Sequence, residues 1–381
     1  MCRQLKLYQQ GKFTLSAAKL LEAEKISKEL KKREKENEKD VFEFVRSGKK
    51  YNLKTSFSEC ANIPFDINKI ESIVFFRDEW FLFAYKSGLW RSKDRQQWNK
   101  VESFITENEF YKLSVANERL FASHWNDIFF SENGSEWHRI EFKHEICDIN
   151  NIFYFSGKWW ISANVYHEYS YKEKGLIWDS KKSSQNGTKT VFFTAERLND
   201  DWRKSDKLSL ADGQIITPES LFVMPDQIYA IRSWDYSYHS DKHLPDSARF
   251  IYTDKDIAWH TARSSHELTF CEQPCANTNG AFIQLDQGIY CVCDKGVFIL
   301  SEGPCWDKIS DDSYVGSLFA VENLLMQIYY NSLYIYSEEK GRSEFNPGFK
   351  FDKMVVHDNQ FVACDKKNLY LGKFIVESCD N

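Results

Sequence analysis

The chain repeats itself. Arg77–Val101, RDEWFLFAYKSGLWRSKDRQQWNKV, aligns without a gap on Ala116–Ile140, ANERLFASHWNDIFFSENGSEWHRI, at an offset of 39. Asp78 falls on Asn117, Glu79 on Glu118, Leu82 on Phe121, Ser92 on Ser131 and Trp98 on Trp137. Each copy divides into four short strand signals: an apolar run (Ile73–Phe76 in copy one), Trp80–Tyr85 after a polar turn, Leu89–Ser92 after Ser87-Gly88, and a strand opened by Trp98. A unit of this size cannot bury its own apolar face, so successive copies must stack on one another.

The turn after the first strand recurs as Asp78-Glu79, Asn117-Glu118, Gly157-Lys158, Asp226-Gln227, Asp286-Gln287, Glu322-Asn323 and Asp358-Asn359, with an apolar strand after each. Seven copies of about 40 residues and four strands predict an all-β fold, a seven-bladed β-propeller of four-stranded antiparallel blades over 70–376. Length agrees: those 307 residues, less insertions of 26 (164–189) and 15 (233–247), make about 6.8 units of 39. The shortfall lies in copy seven, which has no outermost strand of its own. A segment of 51–69, Tyr51–Phe57 or Ile63–Ile67, is expected to supply it and close the ring, removing the exposed edges. Residues 377–381 form a tail. Two stacked sheets or a six-bladed ring would not use seven turns.

Charge divides the chain differently. Residues 1–50 carry 14 Lys+Arg against 8 Asp+Glu, which leaves 36 and 48 of the chain's 50 and 56 for the remainder: a basic arm on an acidic body. The arm reads as a charged α-helix, capped by Thr14 or Ser16, with an apolar stripe of Leu15, Leu20, Leu21, Ala23, Ile26 and Leu30. KKREKENEKD (31–40) has no apolar residue and would be solvent-exposed. Such a helix would dock on a second subunit, on a partner or on the body. Nucleic acid is disfavoured as a partner, because Lys and Glu alternate in the arm and the body repels phosphate.

The composition, rich in aromatics (12 Trp, 19 Tyr, 30 Phe) and poor in Gly (16) and Pro (7), excludes disorder over most of the length and collagen-like classes. No run of 18 apolar residues suggests a membrane span, and the start Met1-Cys2-Arg3-Gln4-Leu5-Lys6 lacks an apolar segment of signal-peptide length. The expected compartment is therefore the cytoplasm, with the ten cysteines as reduced thiols. Cys271, Cys275, Cys291, Cys293 and Cys305 crowd 35 residues, but C-x3-C followed by C-x-C lacks the paired knuckles of a zinc site. Neither a metal nor a cofactor is called for.

Between the third and fourth strands lies a second motif. Ser131-Glu132-Asn133-Gly134-Ser135-Glu136-Trp137 resembles the Asp-box of sialidase-type (BNR-like) propellers, and Ser92-Lys93-Asp94-Arg95-Gln96-Gln97-Trp98 keeps its Ser, Asp and Trp but not its Gly. Thr194–Trp202, Thr253–Trp259 and Ser301–Trp306 are degenerate copies. The motif's logic is structural: the Ser or Asp side chain bonds the turn backbone and the Trp packs between blades. The resemblance implies a fold. It carries over no catalytic residue, since the Arg-Ile-Pro segment is missing and Arg232 and Arg249 have no third arginine at a matching position.

In a blade, loops 1–2 and 3–4 emerge on one face of the ring, and loops 2–3 with the links between blades emerge on the other. Both insertions fall between strands two and three, in adjacent copies three and four, and so share a face. They hold Tyr166, His167, Tyr169, Tyr171 and Trp178, and Trp234, Asp235, Tyr236, Tyr238, His239 and His243, residue types that give large contact area with polar handles. These are the candidate binding residues, with mutual packing of the loop aromatics as the plainer explanation. His239, Asp241 and His243 are too loosely spaced on a loop to define a metal site. No Gly-rich phosphate loop, nucleophile elbow or H-E-x-x-H helix is present. The expectation is a non-catalytic intracellular scaffold that recognises a protein. The alternative is a sialidase-like glycan-binding protein or glycoside hydrolase using Glu168, Asp235 and Asp241.

Overall fold

The structure is a computed structural model describing residues 42–46, 49–102, 111–125, 127–171, 183–210, 214–216, 220–231, 233–234, 250–253, 257–264, 281–293, 296–300, 305–310, 317–329, 331–337 and 341–379. Among the described residues the strands form eight sheets: seven are the blades of one ring, antiparallel except that Arg263–Ser264 pairs parallel with Cys305–Trp306 at the edge of blade 5, and the eighth is a separate two-stranded pair. Blade 1 lies within 70–100, blade 2 within 112–140, blade 3 within 148–204, blade 4 within 221–261, blade 5 within 281–310 and blade 6 within 317–345; each takes its four strands in chain order. Blade 7 takes three strands from the C-terminal end, Lys353–His357, Gln360–Cys364 and Leu369–Ser378.

Its fourth strand comes from the other end of the chain. Lys49–Glu59 pairs antiparallel with Leu369–Ser378 from Tyr51↔Ser378 to Glu59↔Tyr370, and Phe42–Arg46 adds a fifth strand outside it. Alternation explains the pairing: Leu53, fully buried, faces the core between blades 6 and 7, while its neighbour Lys54 reaches Glu377 on the surface. The segment 42–50, counted above with the helical arm, is therefore mostly strand. Phe42 and Phe44 follow a period of two, which suits a sheet edge. Residues 1–41, on which the expected helix and its docking role fall, lie outside the described residues. No α-helix occurs among the described residues; a 3-10 turn, Ile67–Lys69, leads into blade 1.

The recurring first turn is a two-residue hairpin. Arg77 and Asp78 (φ 48° and 63°), Asn117 and Glu118 (43° and 58°), Glu322 and Asn323 (44° and 68°) and Asp358 and Asn359 (47° and 48°) all hold the left-handed region. That geometry matches the twist of the flanking strands and favours Asn, Asp and Gly. Register also corrects the gapless alignment. Trp80 pairs with Ser92 but Leu120 with Ser131, so Phe81, not Leu82, is the counterpart of Phe121. Both copies have a two-residue first turn, but copy one has a three-residue second turn where copy two has two, so the offset is 40 up to that turn and 39 after it. A gapless offset of 39 would put the apolar side chains of the second strand on the wrong faces.

Seven buried clusters hold the ring together, one at each blade–blade interface. Trp98 sits in the cluster between blades 7 and 1, Trp137 between 1 and 2, Trp202 between 2 and 3, and Trp306 between 4 and 5. The polar half of the motif works as its residue types predict. Asp94 Oδ1 accepts from the Gln96 and Gln97 amides, and Asn133 Oδ1 from those of Ser135 and Glu136, at 2.8–2.9 Å.

The glycine of the motif has a specific task. Gly134 (φ 75°) lies so close to blade 1 that an added Cβ would stand 2.3 Å from Phe81 Cζ. In blade 1 the same position is Arg95 (φ 66°), whose Nη1 donates to the carbonyl oxygens of Gly372 (2.7 Å) and Phe361 (3.4 Å) in blade 7. The glycine has moved to the strand: Phe361 packs on Gly372 as its register partner, where Phe81 pairs with Arg91. Arginine and glycine thus exchange places at the closing interface.

Cys60, Cys364 and Cys379 are free thiols.

Candidate functional site

Blade 3 departs most from its neighbours. Its second and third strands, Lys158–Tyr171 and Ser183–Ala195, stay in register from Trp159↔Ala195 to Tyr171↔Ser183. The inner strand stops at Asp148↔Asn164. From Val165 the pair continues alone, so seven residues at about 3.3 Å each carry a two-stranded arm roughly 20 Å beyond the blade. What the sequence suggested as a loop is, on both flanks, an extended hairpin. Tyr166 stands on it, 74% exposed. His167, Tyr169 and Tyr171 occupy the same strand opposite Gly187, Gln185 and Ser183.

Trp178, in the hairpin's central segment, lies outside the described residues. So do Asp235, Tyr236, Tyr238, His239 and His243 of the blade 4 insertion. Trp234 is described in its backbone alone: Ser233–Trp234 pairs antiparallel with Gln214–Ile215 from the link between blades 3 and 4.

That small sheet ties the two insertions together. At the base of the hairpin, Asn164 Oδ1 accepts from Asn150 Nδ2 (2.9 Å) and Thr190 Oγ1 (2.8 Å). Asn150 Nδ2 also donates to the Ile216 carbonyl (3.0 Å), and the Ile216 amide donates to Thr190 Oγ1 (2.9 Å). Asn150 and Thr190 are buried, where lost hydrogen bonds would be costly. The network therefore clamps 214–216 to the hairpin, and 214–215 in turn pairs with the start of the blade 4 insertion.

The structure adds residues that sequence reasoning missed. The second turn of blade 2 presents Trp125 on the same face, 65% exposed and at φ 50°. His124 lies against it with ring centroids 5.2 Å apart and against Tyr111 at 5.6 Å. Asp148 is close by; its carboxyl is pushed above the usual aspartate range by desolvation, an effect opposed by its backbone bond to Ile149 and by Lys112 and His124. Lys112 Nζ also donates to the Asn150 carbonyl (3.4 Å), linking this group to the clamp. The signal was an aromatic at the tip of a two-residue turn, where copy one carries Lys86-Ser87. Among the described residues, no cluster of His, Cys, Asp or Glu could hold a metal ion. No helix among them is long and apolar enough to cross a membrane.

No protein-family model matches the chain, and no curated protein matches it. Among solved structures it is similar to streptogramin B lyase (8% identity, TM-score 0.51, covering 85% of this chain and 98% of that one). A catalytically inactive virginiamycin B lyase from Staphylococcus aureus, solved with quinupristin, gives 8% identity and a TM-score of 0.50, covering 84% of this chain and 100% of that one. The CNH domain of AfRom2 gives 7% identity and a TM-score of 0.53, covering 86% and 99%. At such identities the likeness shows the fold alone. No sialidase family is shown, and the Asp-box resemblance stands as turn geometry. One expectation is corrected: a propeller without a recognisable catalytic motif was read as not an enzyme, yet the same ring serves streptogramin B lyase, so fold and missing motif do not argue against catalysis.

Proposed function

We propose that this chain recognises a protein partner on the face that carries the blade 3 hairpin. The observation that carries the reading is the shared anchoring of two insertions from adjacent blades: Ile216 bonds the hairpin base, and its segment pairs with the start of the blade 4 insertion. A clamp of buried hydrogen bonds holds the hairpin base in one orientation, which lowers the ordering cost of binding. Exposed rings at Trp125 and Tyr166 supply the anchors that dominate interface energies.

A photo-crosslinking amino acid placed at Tyr166 or Trp125 tests this. Adducts are expected from both, and not from Lys93, which is exposed on the opposite face. Equal adducts from the two faces would refute the assignment. A glycan ligand on the same face is the second reading, favoured by the exposed Trp125 indole; binding to a glycan array, lost in Trp125→Ala, would select it.

A further inference from the structure

The blade 3 hairpin carries an unfinished sheet. Its two strands pair from Val165↔Lys189 out to Tyr171↔Ser183, but the inner strand of the blade has already ended at Asp148↔Asn164. Among the described residues no strand pairs with the edge of Val165–Tyr171 that faces the ring axis. We propose that this axial edge takes up an extended segment of the partner protein as an added β-strand. The inference rests on the reading of this face given above and names the form in which the partner binds.

Backbone alternation decides which groups the edge offers. In an antiparallel strand the N–H and C=O of one residue point to the same neighbour, and those of the next residue point to the other. The two-residue turn Ser156-Gly157 (φ 50° and 79°) closes on the hydrogen-bonded pair Phe155↔Lys158, so the even-numbered residues of the second strand bond toward the inner strand. Asn164 agrees: its carbonyl accepts from the Cys147 amide (2.7 Å). On the other side its Oδ1 meets Thr190 Oγ1 at 2.8 Å, the close approach of a non-hydrogen-bonded pair. The register then runs without a shift to Tyr171↔Ser183. The amides and carbonyls of Tyr166, Glu168 and Ser170 therefore point outward along the axial edge.

Sequence and anchoring fit such an added strand. Val165–Tyr171 reads VYHEYSY, with strong strand formers and no proline. Edges that must stay unpaired are blunted by lysine, proline or shortness. The outer strands of blades 1 and 3, Asn99–Lys100 and Arg203–Lys204, are two residues long and end in lysine. The axial edge has none of these devices. Its base is fixed by the Asn150, Asn164 and Thr190 network, which orients it before a partner arrives. Charge narrows the partner further. Glu168 is the middle of the three bonding positions, and like charges directly opposite are destabilising. The added segment therefore carries lysine or arginine opposite Glu168, and neither proline nor an acid. A second copy of this chain centred on the same stretch would set Glu168 against Glu168.

A phage-displayed library of random dodecapeptides, selected on the immobilised whole chain, supplies the probes, and enriched peptides are titrated by fluorescence anisotropy. Enriched sequences should be rich in β-branched residues around a lysine or arginine. Glu168→Pro removes one edge N–H and sets a ring where the added strand must lie, while proline is tolerated at an edge position whose N–H faces away from the sheet. It should weaken these peptides about tenfold or more. Glu168→Gln keeps the backbone and should weaken them less than about fivefold, the worth of an exposed ion pair. In the unaltered chain, bound peptide should slow hydrogen exchange at the Tyr166, Glu168 and Ser170 amides, but not at His167 and Tyr169, whose amides already bond within the hairpin. A library without enrichment, peptides that bind Glu168→Pro as tightly as the parent, or unchanged exchange at the three edge amides would overturn the proposal. So would a dimer of the chain alone, seen by light scattering and abolished by Glu168→Pro, because the edge then pairs with a second copy. If Tyr166 and Trp125 crosslink a protein and Glu168→Pro leaves the yield unchanged, the face assignment stands and the added strand falls.

Discussion

Gly372→Ala offers the sharpest test of how the ring closes. Gly372 sits in the third strand of blade 7, between Phe361 on one side and the strand that comes from the N-terminal part of the chain on the other. An added Cβ would lie 2.2 Å from Phe361 Cζ and 2.7 Å from the Ser56 carbonyl oxygen. Neither can retreat cheaply. Phe361 is fully buried, with Phe349 and Phe374 rings at centroid distances of 5.5 and 5.2 Å, and Ser56 is backbone in the closing strand. Overpacking of this kind costs about 1–3 kcal/mol. Any strand shift would also strain the charged bond from Arg95 to the Gly372 carbonyl, worth about 1.5–3 kcal/mol if lost. Replacing glycine in a strand returns about 0.5–1 kcal/mol. The net expectation is a loss of about 2–4 kcal/mol, which at an m value near 3 kcal/mol/M moves a urea midpoint down by about 1 M. Phe361→Leu in the same chain removes the offending ring atoms, so the double variant should be less destabilised than the sum of the singles. A midpoint shift below about 0.2 M, or strict additivity of the pair, would refute the packing argument.

Arg95→Ala should cost about 1.5–3 kcal/mol by equilibrium unfolding, since it removes the clasp between blades 7 and 1, whereas Arg91→Ala, whose partner Ser135 is exposed, should cost under about 0.5. Asn164→Ala should cost about 2–3 kcal/mol, because Asn150 and Thr190 lose a shared partner in a buried network. It should also speed hydrogen exchange at the Ile216 amide, read by mass spectrometry, and unchanged protection there would dissolve the clamp. Cys364, whose thiol burial pushes up to about 11, should resist alkylation at pH 8 while exposed Cys379 reacts. Because its folded pKa is raised, Cys364 favours the folded state less as pH climbs from 9, where the unfolded thiol ionises, toward 11. Replacing it with Ala should flatten that alkaline decline in thermal scans.

The ring itself was legible because its cause is local and repeated. Pairs such as Asn117-Glu118 and Asp358-Asn359 announce a turn needing positive φ, and an apolar strand follows each. The tryptophans at the fourth strands likewise mark the interfaces. What escaped depends on partners distant in sequence or on polar strands. Phe42–Arg46 reads equally well as the end of a helix until it is set beside Lys49–Glu59, which is itself held by residues some 320 positions later. Ser183–Lys189, SSQNGTK, has no apolar alternation, so only its register with Val165–Tyr171 makes it a strand. Within the candidate site, the insertions were visible as excess length. Their anchor, Asn150 with Asn164 and Thr190, was not, because a buried amide network leaves no hydrophobic pattern. The one-residue slip between copies one and two was hidden because adjacent phenylalanines let either register look apolar: the second turn is one residue shorter in copy two, so the offset is 40 before it and 39 after it.

The closing blade also sets a timetable for the molecule's making. Glu59 is synthesised 311 residues before its partner Tyr370. At about 5–20 residues per second, translation leaves the Lys49–Glu59 edge waiting some 15–60 s for the strand that will cover it. Throughout that interval six blades can assemble in order, each on its predecessor, while the seventh cannot begin. The nascent chain thus carries an open strand edge from almost its first domain residue to its last, and its hazard lies in what that edge meets before release. A circular permutant opened between blades 3 and 4 would place both halves of blade 7 in one stretch of sequence and shorten the wait to seconds.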